Sequence, residues 1–195
     1  MISFMHGCIE VRSLDCHFGS RAALQDIGLA VGPGEVHGLL GPRGAGKTTL
    51  LRILAGELAP SAGSVQVPDR VTFVTEYEDE GLSPIEAQLT PDTRRRVALA
   101  RAVAGAPDVL LVDEPSAGFD GQTAVATRSL AVRHAAGGGA VIWATRRLDV
   151  LLGLASGVTL LANGRVRYAG TVETLAERAL AGTDAPGAAP LHRAA

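Results

Sequence analysis

Lysine is almost absent from this 195-residue sequence, in which Lys47 stands alone against 17 arginines. A compact ammonium and a planar guanidinium are not interchangeable, so a position that keeps lysine here is a candidate functional site. Aromatic residues make up only 4% of the chain, and the two cysteines, Cys8 and Cys16, have no metal-ligand spacing. We therefore expect free thiols in a reducing compartment.

Long apolar runs and an excess of one charge sign are also missing. No stretch of 18 apolar residues occurs, and the N-terminus lacks a charged start followed by an apolar run. We therefore expect neither a membrane span nor a secretory signal, and a cytoplasmic location. The formal net charge of −2 argues against a nucleic-acid partner. The length and the 47% hydrophobic content predict one globular domain over 1–181, followed by a flexible Ala/Pro/Gly-rich tail over 182–195.

The hydrophobic pattern predicts an α/β fold. The first 40 residues alternate apolar and polar positions, which indicates a small N-terminal antiparallel sheet. Beyond it, apolar strands alternate with helices, which indicates a mostly parallel central sheet flanked by helices, with a site at the carboxyl ends of its strands. The predicted strands are 36–40, 63–67, 70–75, 109–112, 140–144 and 158–162, and the predicted helices are 47–55, 90–104 and 121–136.

A phosphate-binding loop is predicted between the strand at 36–40 and the helix that follows it. Residues 41–48 read Gly-Pro-Arg-Gly-Ala-Gly-Lys-Thr, which fits the pattern of glycine, four residues, then Gly-Lys-Ser/Thr. Glycines allow backbone N–H groups to point at a phosphate, at the positive end of a helix. Lys47 is expected to reach the β- and γ-phosphates, and the Thr48 hydroxyl to bind Mg²⁺. The predicted ATP-binding residues are Gly41, Pro42, Arg43, Gly44, Ala45, Gly46, Lys47, Thr48 and Thr49.

Two adjacent carboxylates, Asp113 and Glu114, end the apolar strand predicted at 109–112. Acidic residues in such a place are often helix caps, but beside a phosphate loop they indicate a hydrolytic site. We expect Asp113 to bind Mg²⁺, and Glu114 to polarise the water that attacks the γ-phosphate.

These segments resemble the ABC (ATP-binding cassette) ATPase family, from Ile9 to about Leu180. Residues 39–50 are similar to the family's phosphate loop, 97–102 to the helix after its signature motif, and 113–120 to its catalytic glutamate and D-loop. The resemblance implies the ABC-type P-loop NTPase fold and an ATP-binding transporter subunit, most similar to short ATPase subunits of bacterial exporters. It also implies a second cassette in a homo- or heterodimer, and a membrane permease at the inner face of the cell membrane. Phe18 matches the aromatic residue that stacks on adenine; the alternative is a core phenylalanine.

The sequence departs from the family pattern at several places. Residues 89–93 are Leu-Thr-Pro-Asp-Thr in place of the signature Leu-Ser-Gly-Gly-Gln; Pro91 has no N–H, and Asp92 adds a negative charge. Arg146 replaces the switch histidine and can donate to a phosphate, although it cannot accept a proton. Glu76 replaces a glutamine and can still reach Mg²⁺. Only the 12 residues 77–88 separate Glu76 from the signature region, so the helical subdomain is expected to be largely deleted.

Two functions therefore stay open. The first is a slowly hydrolysing ATPase subunit of an exporter-like transporter. The second is a weakly catalytic or non-transport regulatory cassette, acting as the degenerate half of a heterodimer. A translation-factor type of cassette is disfavoured, because such proteins carry tandem cassettes and basic surfaces.

Overall fold

The computed structural model describes residues 9–75, 88–114 and 121–181. The strands in these ranges are β1 (Ile9–Phe18), β2 (Arg21–Val31), β3 (Val36–Leu40), β4 (Ala62–Gln66), β5 (Val71–Val74), β6 (Val109–Asp113), β7 (Ala140–Thr145), β8 (Gly157–Ala162) and β9 (Arg165–Thr171). The helices are α1 (Lys47–Leu54), α2 (Pro91–Ala104), α3 (Gly121–Ala136), α4 (Leu148–Leu151) and α5 (Val172–Leu180).

The strands form two sheets. The central sheet has the order β5-β6-β7-β3-β8-β9, in which only β9 is antiparallel to its neighbour. The smaller sheet has the order β2-β1-β4 and is antiparallel. The predicted fold class is confirmed, and β4 joins the N-terminal sheet as its third strand.

The core lies on both faces of the central sheet. On one face, the antiparallel sheet and α1 contribute buried leucines such as Leu14, Leu24 and Leu50. On the other face, α2 to α5 contribute residues such as Leu99 and Leu175. Strands β3, β6 and β7 are buried along their whole length, as parallel strands covered on both faces must be. The loop between β3 and α1 lies between the two sheets, with Gly46 against Leu24 of β2 and Gly41 against Leu161 of β8.

The predicted boundaries agree with the structure at 36–40 and 121–136 and shift by about a residue elsewhere. The helix predicted from position 90 begins at Pro91, because Thr90 is its N-cap and accepts a hydrogen bond from the Thr93 N–H at 3.3 Å. Strand β9 and helices α4 and α5 were not predicted. Strand β9 is an edge strand that is mostly exposed, so it lacks the apolar run that marks β6 or β7.

Several predictions fall on residues that the structure does not describe. These are Glu76, most of the short segment 77–88, the D-loop residues 115–120, Cys8 and the tail 182–195. In the described ranges, no helix combines the length and the apolar character that crossing a membrane requires. Cys16 is a buried free thiol, and its burial raises its pKa.

Candidate functional site

The predicted phosphate loop is a closed turn at the carboxyl end of β3. The Gly41 N–H donates to the carbonyl of Thr145 at 3.2 Å, which anchors the start of the loop to the end of β7. The Ala45 N–H donates to the Pro42 carbonyl at 3.2 Å, so the loop folds back on itself before α1 begins. Helix α1 starts directly after Gly46 with no side-chain cap, and the N–H groups of a helix's first turn are suited to bind a phosphate.

Steric contacts explain two of the loop's glycines, and backbone conformation explains a third. A Cβ on Gly41 would lie 2.4 Å from the Leu161 carbonyl oxygen, and one on Gly46 would lie 2.6 Å from Leu24 Cδ2. Gly44 and Gly46 have φ angles of +77° and +106°, in the left-handed region that favours glycine. The glycines of the motif are therefore required by this backbone.

Lys47 lies inside the loop. Its Nζ donates to the carbonyls of Gly41 at 2.7 Å and Pro42 at 3.2 Å, and lies 3.4 Å from Glu114 Oε1. Burial lowers the pKa of Lys47, while the carboxylates of Glu114 and Asp113 act in the opposite direction. The ammonium is thus held by two loop carbonyls and a carboxylate at the place where the motif expects phosphate oxygens.

Thr48 and Asp113 form the candidate Mg²⁺ site. The Thr48 hydroxyl donates to Asp113 Oδ2 at 2.6 Å. Asp113 Oδ1 is buried and has no hydrogen-bond partner among the residues that the structure describes. A hydroxyl beside a buried carboxylate oxygen is the hard oxygen set that Mg²⁺ prefers. These residues therefore fit the cation that the sequence predicts.

A Mg²⁺ site of this kind does not require three or more protein ligands. Within the described ranges, no group of three or more His, Cys, Asp and Glu side chains could hold a metal ion. Mg²⁺ at a phosphate site is usually bound by one or two protein oxygens, with waters and substrate phosphates completing its octahedron. The Thr48–Asp113 pair matches this mode of binding.

Glu114 is held between two cations. Its Oε1 lies 3.4 Å from Lys47 Nζ and 3.4 Å from Arg146 Nε, and its side chain is only 17% exposed. The Glu114 backbone has a φ of +45°, and its N–H donates to the Ala144 carbonyl at 3.0 Å. A left-handed non-glycine residue is strained, and such strain is commonly found at functional sites. The ends of β6 and β7 therefore bring the predicted base and Arg146 together.

The remaining predicted residues lie at the edge of this cluster or outside it. Pro42, Arg43 and Gly44 are exposed, whereas Ala45 is buried. Phe18 ends β1 opposite Arg21 and is 52% exposed, so the alternative of a core phenylalanine is wrong. An exposed ring is available to stack on a base.

Sequence reasoning missed the support behind the loop. Leu24 lies against Gly46, and the turn between β8 and β9 donates a hydrogen bond to the carbonyl of Ala45. The Asn163-Gly164 dipeptide carried a usable signal, because Asn-Gly is the preferred pair for a two-residue hairpin turn. Both residues have positive φ angles, 52° and 70°, as that turn requires.

The site has the elements of a protein that binds a nucleoside triphosphate. A glycine-rich loop joins a parallel strand to a helix, and a neighbouring strand places an Asp-Glu pair beside its lysine and threonine. This arrangement defines the P-loop NTPase class.

Comparison with known proteins narrows this class. The family model described as "ABC transporter" matches residues 24–82. An aliphatic sulfonates import ATP-binding protein of Paraburkholderia xenovorans is 32% identical over 88% of this chain and 84% of its own length. A sulfate/thiosulfate import ATP-binding protein of Caulobacter vibrioides is 33% identical over 84% of this chain and 64% of its own length. This chain belongs to the family of ABC transporter ATP-binding proteins.

The solved structures agree on the fold. A structure described as the ATP binding subunit of an ABC transporter superposes with a TM-score of 0.77 at 21% identity, covering 92% of this chain and 95% of that one. The alignment with the Paraburkholderia protein spans 210 positions, more than this chain's 195 residues, so that relative has residues without a counterpart here.

Proposed function

We propose that this chain binds MgATP and hydrolyses it slowly as the ATP-binding subunit of an ABC importer. The observation that carries the proposal is the position of the Glu114 carboxylate, 3.4 Å from the ammonium of Lys47. Family membership supports ATP as the nucleotide. The Glu114 carboxylate, which is 17% exposed, supports a base that acts on a water beside the γ-phosphate.

Each residue of the cluster has a distinct part in this proposal. The loop amides and Lys47 bind the phosphates, and Phe18 stacks on the adenine. Thr48 and Asp113 hold Mg²⁺, with Glu76 as a further candidate ligand. The bound cation neutralises charge on the β- and γ-phosphates. Glu114 orients the attacking water and accepts its proton.

Arg146 gives this site a fixed positive charge where the family has a histidine. Its side chain is 52% exposed and pairs with Glu114 through Nε. The γ-phosphate is a stronger anion than a single carboxylate, so it is expected to attract the guanidinium when ATP is bound. Arg146 then neutralises charge that develops in the transition state, without the proton exchange that a histidine provides.

Import is favoured over export by the relatives. The Paraburkholderia and Caulobacter proteins are named for different substrates, yet both are named import ATP-binding proteins. The two relatives share the direction of transport. We therefore propose import for this chain and propose neither substrate. The expected similarity to exporter subunits is not supported by these relatives, which are import proteins. The partners implied are a second cassette and a membrane permease at the inner face of the membrane.

A second candidate is a weakly catalytic regulatory cassette that forms the degenerate half of a heterodimer. The start of α2 favours it. Pro91 occupies the first turn and offers no N–H, and the Thr90 hydroxyl already interacts with the N–H and hydroxyl of Thr93. A segment in this state has fewer donors to offer a phosphate than the family signature has.

One experiment tests the first proposal against the second. The tagged chain is purified from detergent-solubilised membranes of its own host, and phosphate release from MgATP is measured on the product. We expect a membrane permease subunit to be recovered with the chain, and the complex to release phosphate. Recovery of the chain without any membrane subunit, or a complex without phosphate release, would contradict the importer proposal.

A further inference from the structure

The turn between β8 and β9, formed by Asn163 and Gly164, links the phosphate loop to the antiparallel sheet. The Gly164 N–H donates to the carbonyl of Ala45, inside the loop, at 3.1 Å. The Gly164 carbonyl accepts from the Gln25 N–H of β2 at 2.7 Å. One residue thus bonds to the loop with its donor and to the other sheet with its acceptor.

The contact has little space to adjust. Gly164 has a φ of +70°, and a Cβ placed on it would lie 2.6 Å from the Ala23 carbonyl oxygen. The same oxygen lies 2.9 Å from the position of a Cβ on Gly46, and the Leu161 carbonyl lies 2.4 Å from that of a Cβ on Gly41. The backbones of β2 and of the β8–β9 hairpin therefore approach the phosphate loop as closely as glycine allows.

The bond to Ala45 has a consequence for phosphate binding. A trans peptide directs its C=O and its N–H to opposite sides. The Ala45 carbonyl is directed outward to Gly164, so the N–H of Gly46, in the same peptide plane, is directed away from the turn. That N–H belongs to the loop whose amides are expected to surround the phosphates.

We propose that Gly164 is a positioning residue for nucleotide binding: it fixes the direction of the Gly46 amide and couples the antiparallel sheet, which carries Phe18, to the phosphate loop. The inference rests on the proposed binding of MgATP. It adds a residue outside the phosphate-loop motif, on an edge hairpin of the central sheet, to those that set nucleotide affinity. It also implies that phosphate binding stabilises the Gln25–Gly164 contact.

The test compares two glycine variants at sites that both have a left-handed φ and a backbone oxygen too close to an added Cβ. Gly164→Ala disrupts the turn, and Gly63→Ala is the control, since Gly63 also has a left-handed φ of +89° and a Cβ there would lie 2.3 Å from the Ser13 carbonyl oxygen, in the sheet of β1 and β4. The dissociation constant for MgATP is measured by titration at a temperature at which both variants are folded. We expect Gly164→Ala to raise it about tenfold, the effect of misaligning one hydrogen bond to a charged group. Gly63→Ala should stay within about twofold of the unmodified chain.

A measurement on the unmodified chain keeps the test independent of how the variants fold. Saturating MgATP should slow hydrogen exchange of the Gln25 and Gly164 amides, and should leave the Ser61 amide, bonded to Asp15 at 2.8 Å, unchanged. Equal affinities of the two glycine variants, or unchanged exchange at Gln25 and Gly164, would overturn the inference.

Lys47→Ala separates this failure from failure of the proposed function. We expect this variant to lose MgATP binding. If it binds MgATP as tightly as the unmodified chain, the phosphate-loop assignment itself is wrong, and the role of Gly164 falls with it. If Lys47→Ala loses binding while Gly164→Ala behaves like Gly63→Ala, only the positioning role is wrong.

Discussion

At the scale of single residues, the site is a carboxylate shared by two cations. Glu114 Oε1 is 3.4 Å from Lys47 Nζ and 3.4 Å from Arg146 Nε. Lys47 follows from a local motif, so its identity and place were predictable from sequence. The Glu114–Arg146 pair was not predictable, because it depends on the register of β6 against β7, where Asp113 lies opposite Ala144. The left-handed φ of Glu114 likewise has no signal in the sequence.

Arg146 should distinguish ATP from ADP, because its proposed target is the γ-phosphate. We expect Arg146→Ala to raise the dissociation constant of MgATP about tenfold, in line with the loss of one charged hydrogen bond, and to leave that of MgADP nearly unchanged. Arg147→Ala is the matched control, since Arg147 is the adjacent exposed arginine and pairs with Asp149. Titrations with both nucleotides measure the effect. A similar loss for ATP and ADP would show that Arg146 does not contact the γ-phosphate.

At the scale of elements, a partly buried series of hydrogen bonds joins β3 to β8 at the end opposite the phosphate loop. Glu35 Oε1 accepts from His37 Nδ1 at 2.9 Å, and His37 Nε2 lies 3.0 Å from the Thr159 hydroxyl. An ionised carboxylate can only accept, so Nδ1 carries the proton and, in the neutral ring, Nε2 accepts from Thr159. The hydrogen bond from His37, with a smaller one from the Gly32 N–H, lowers the pKa of Glu35 although burial opposes it.

The hydrogen bonds of Glu35 predict a pH-dependent contribution to the stability of the fold. A lowered pKa means that folded Glu35 binds a proton less readily than the unfolded chain does. The stabilisation is therefore complete above about pH 4.3, the ordinary value for glutamate, and is lost as the pH falls through the folded value. We expect Glu35→Gln to reduce the free energy of unfolding by about 1 kcal/mol at pH 7, and by less near pH 4.

Urea unfolding of the variant at both pH values provides the measurement. The control is Glu10→Gln, because Glu10 pairs with Arg12 at an exposed site where such pairs contribute little. Its loss should stay below about 0.5 kcal/mol. A deficit of Glu35→Gln that is the same at pH 7 and pH 4 would contradict the assigned role of the ionised carboxylate.

Elements, like single residues, were predictable where local sequence determines them and not where tertiary pairing does. Strands β6 and β7 were predicted because full burial leaves an uninterrupted apolar run in each, over 109–112 and 140–144. The edge strand β9 was missed, since it is paired on one side only and its residues are mostly exposed. The Asn163-Gly164 dipeptide nevertheless predicts a hairpin turn at its start, so turn-residue preference indicates this strand better than hydrophobicity does.

At the scale of the whole molecule, the two sheets enclose α1 and meet at the phosphate loop. The central sheet supplies the loop and the Asp113–Glu114 pair, and the antiparallel sheet supplies Phe18 and the contacts behind the loop. Apolar–polar alternation predicted the antiparallel sheet, and apolar strands alternating with helices predicted the central sheet. Which strand edge supports the loop depends on tertiary packing and could not be read from the pattern. Residues of both sheets therefore contribute to a single candidate site.

The central claim is that this site hydrolyses MgATP with Glu114 as the base. The most direct test is steady-state phosphate release by the purified chain at saturating MgATP, compared between the unmodified chain, Glu114→Gln and Glu57→Gln. Glu57 is an exposed glutamate near Arg52 and away from the site, so its variant controls for the loss of one carboxylate. We predict slow turnover that Glu114→Gln lowers at least about 100-fold with MgATP binding retained, and that Glu57→Gln leaves unchanged. Turnover that survives in Glu114→Gln, or an unmodified chain no faster than that variant, would contradict the account.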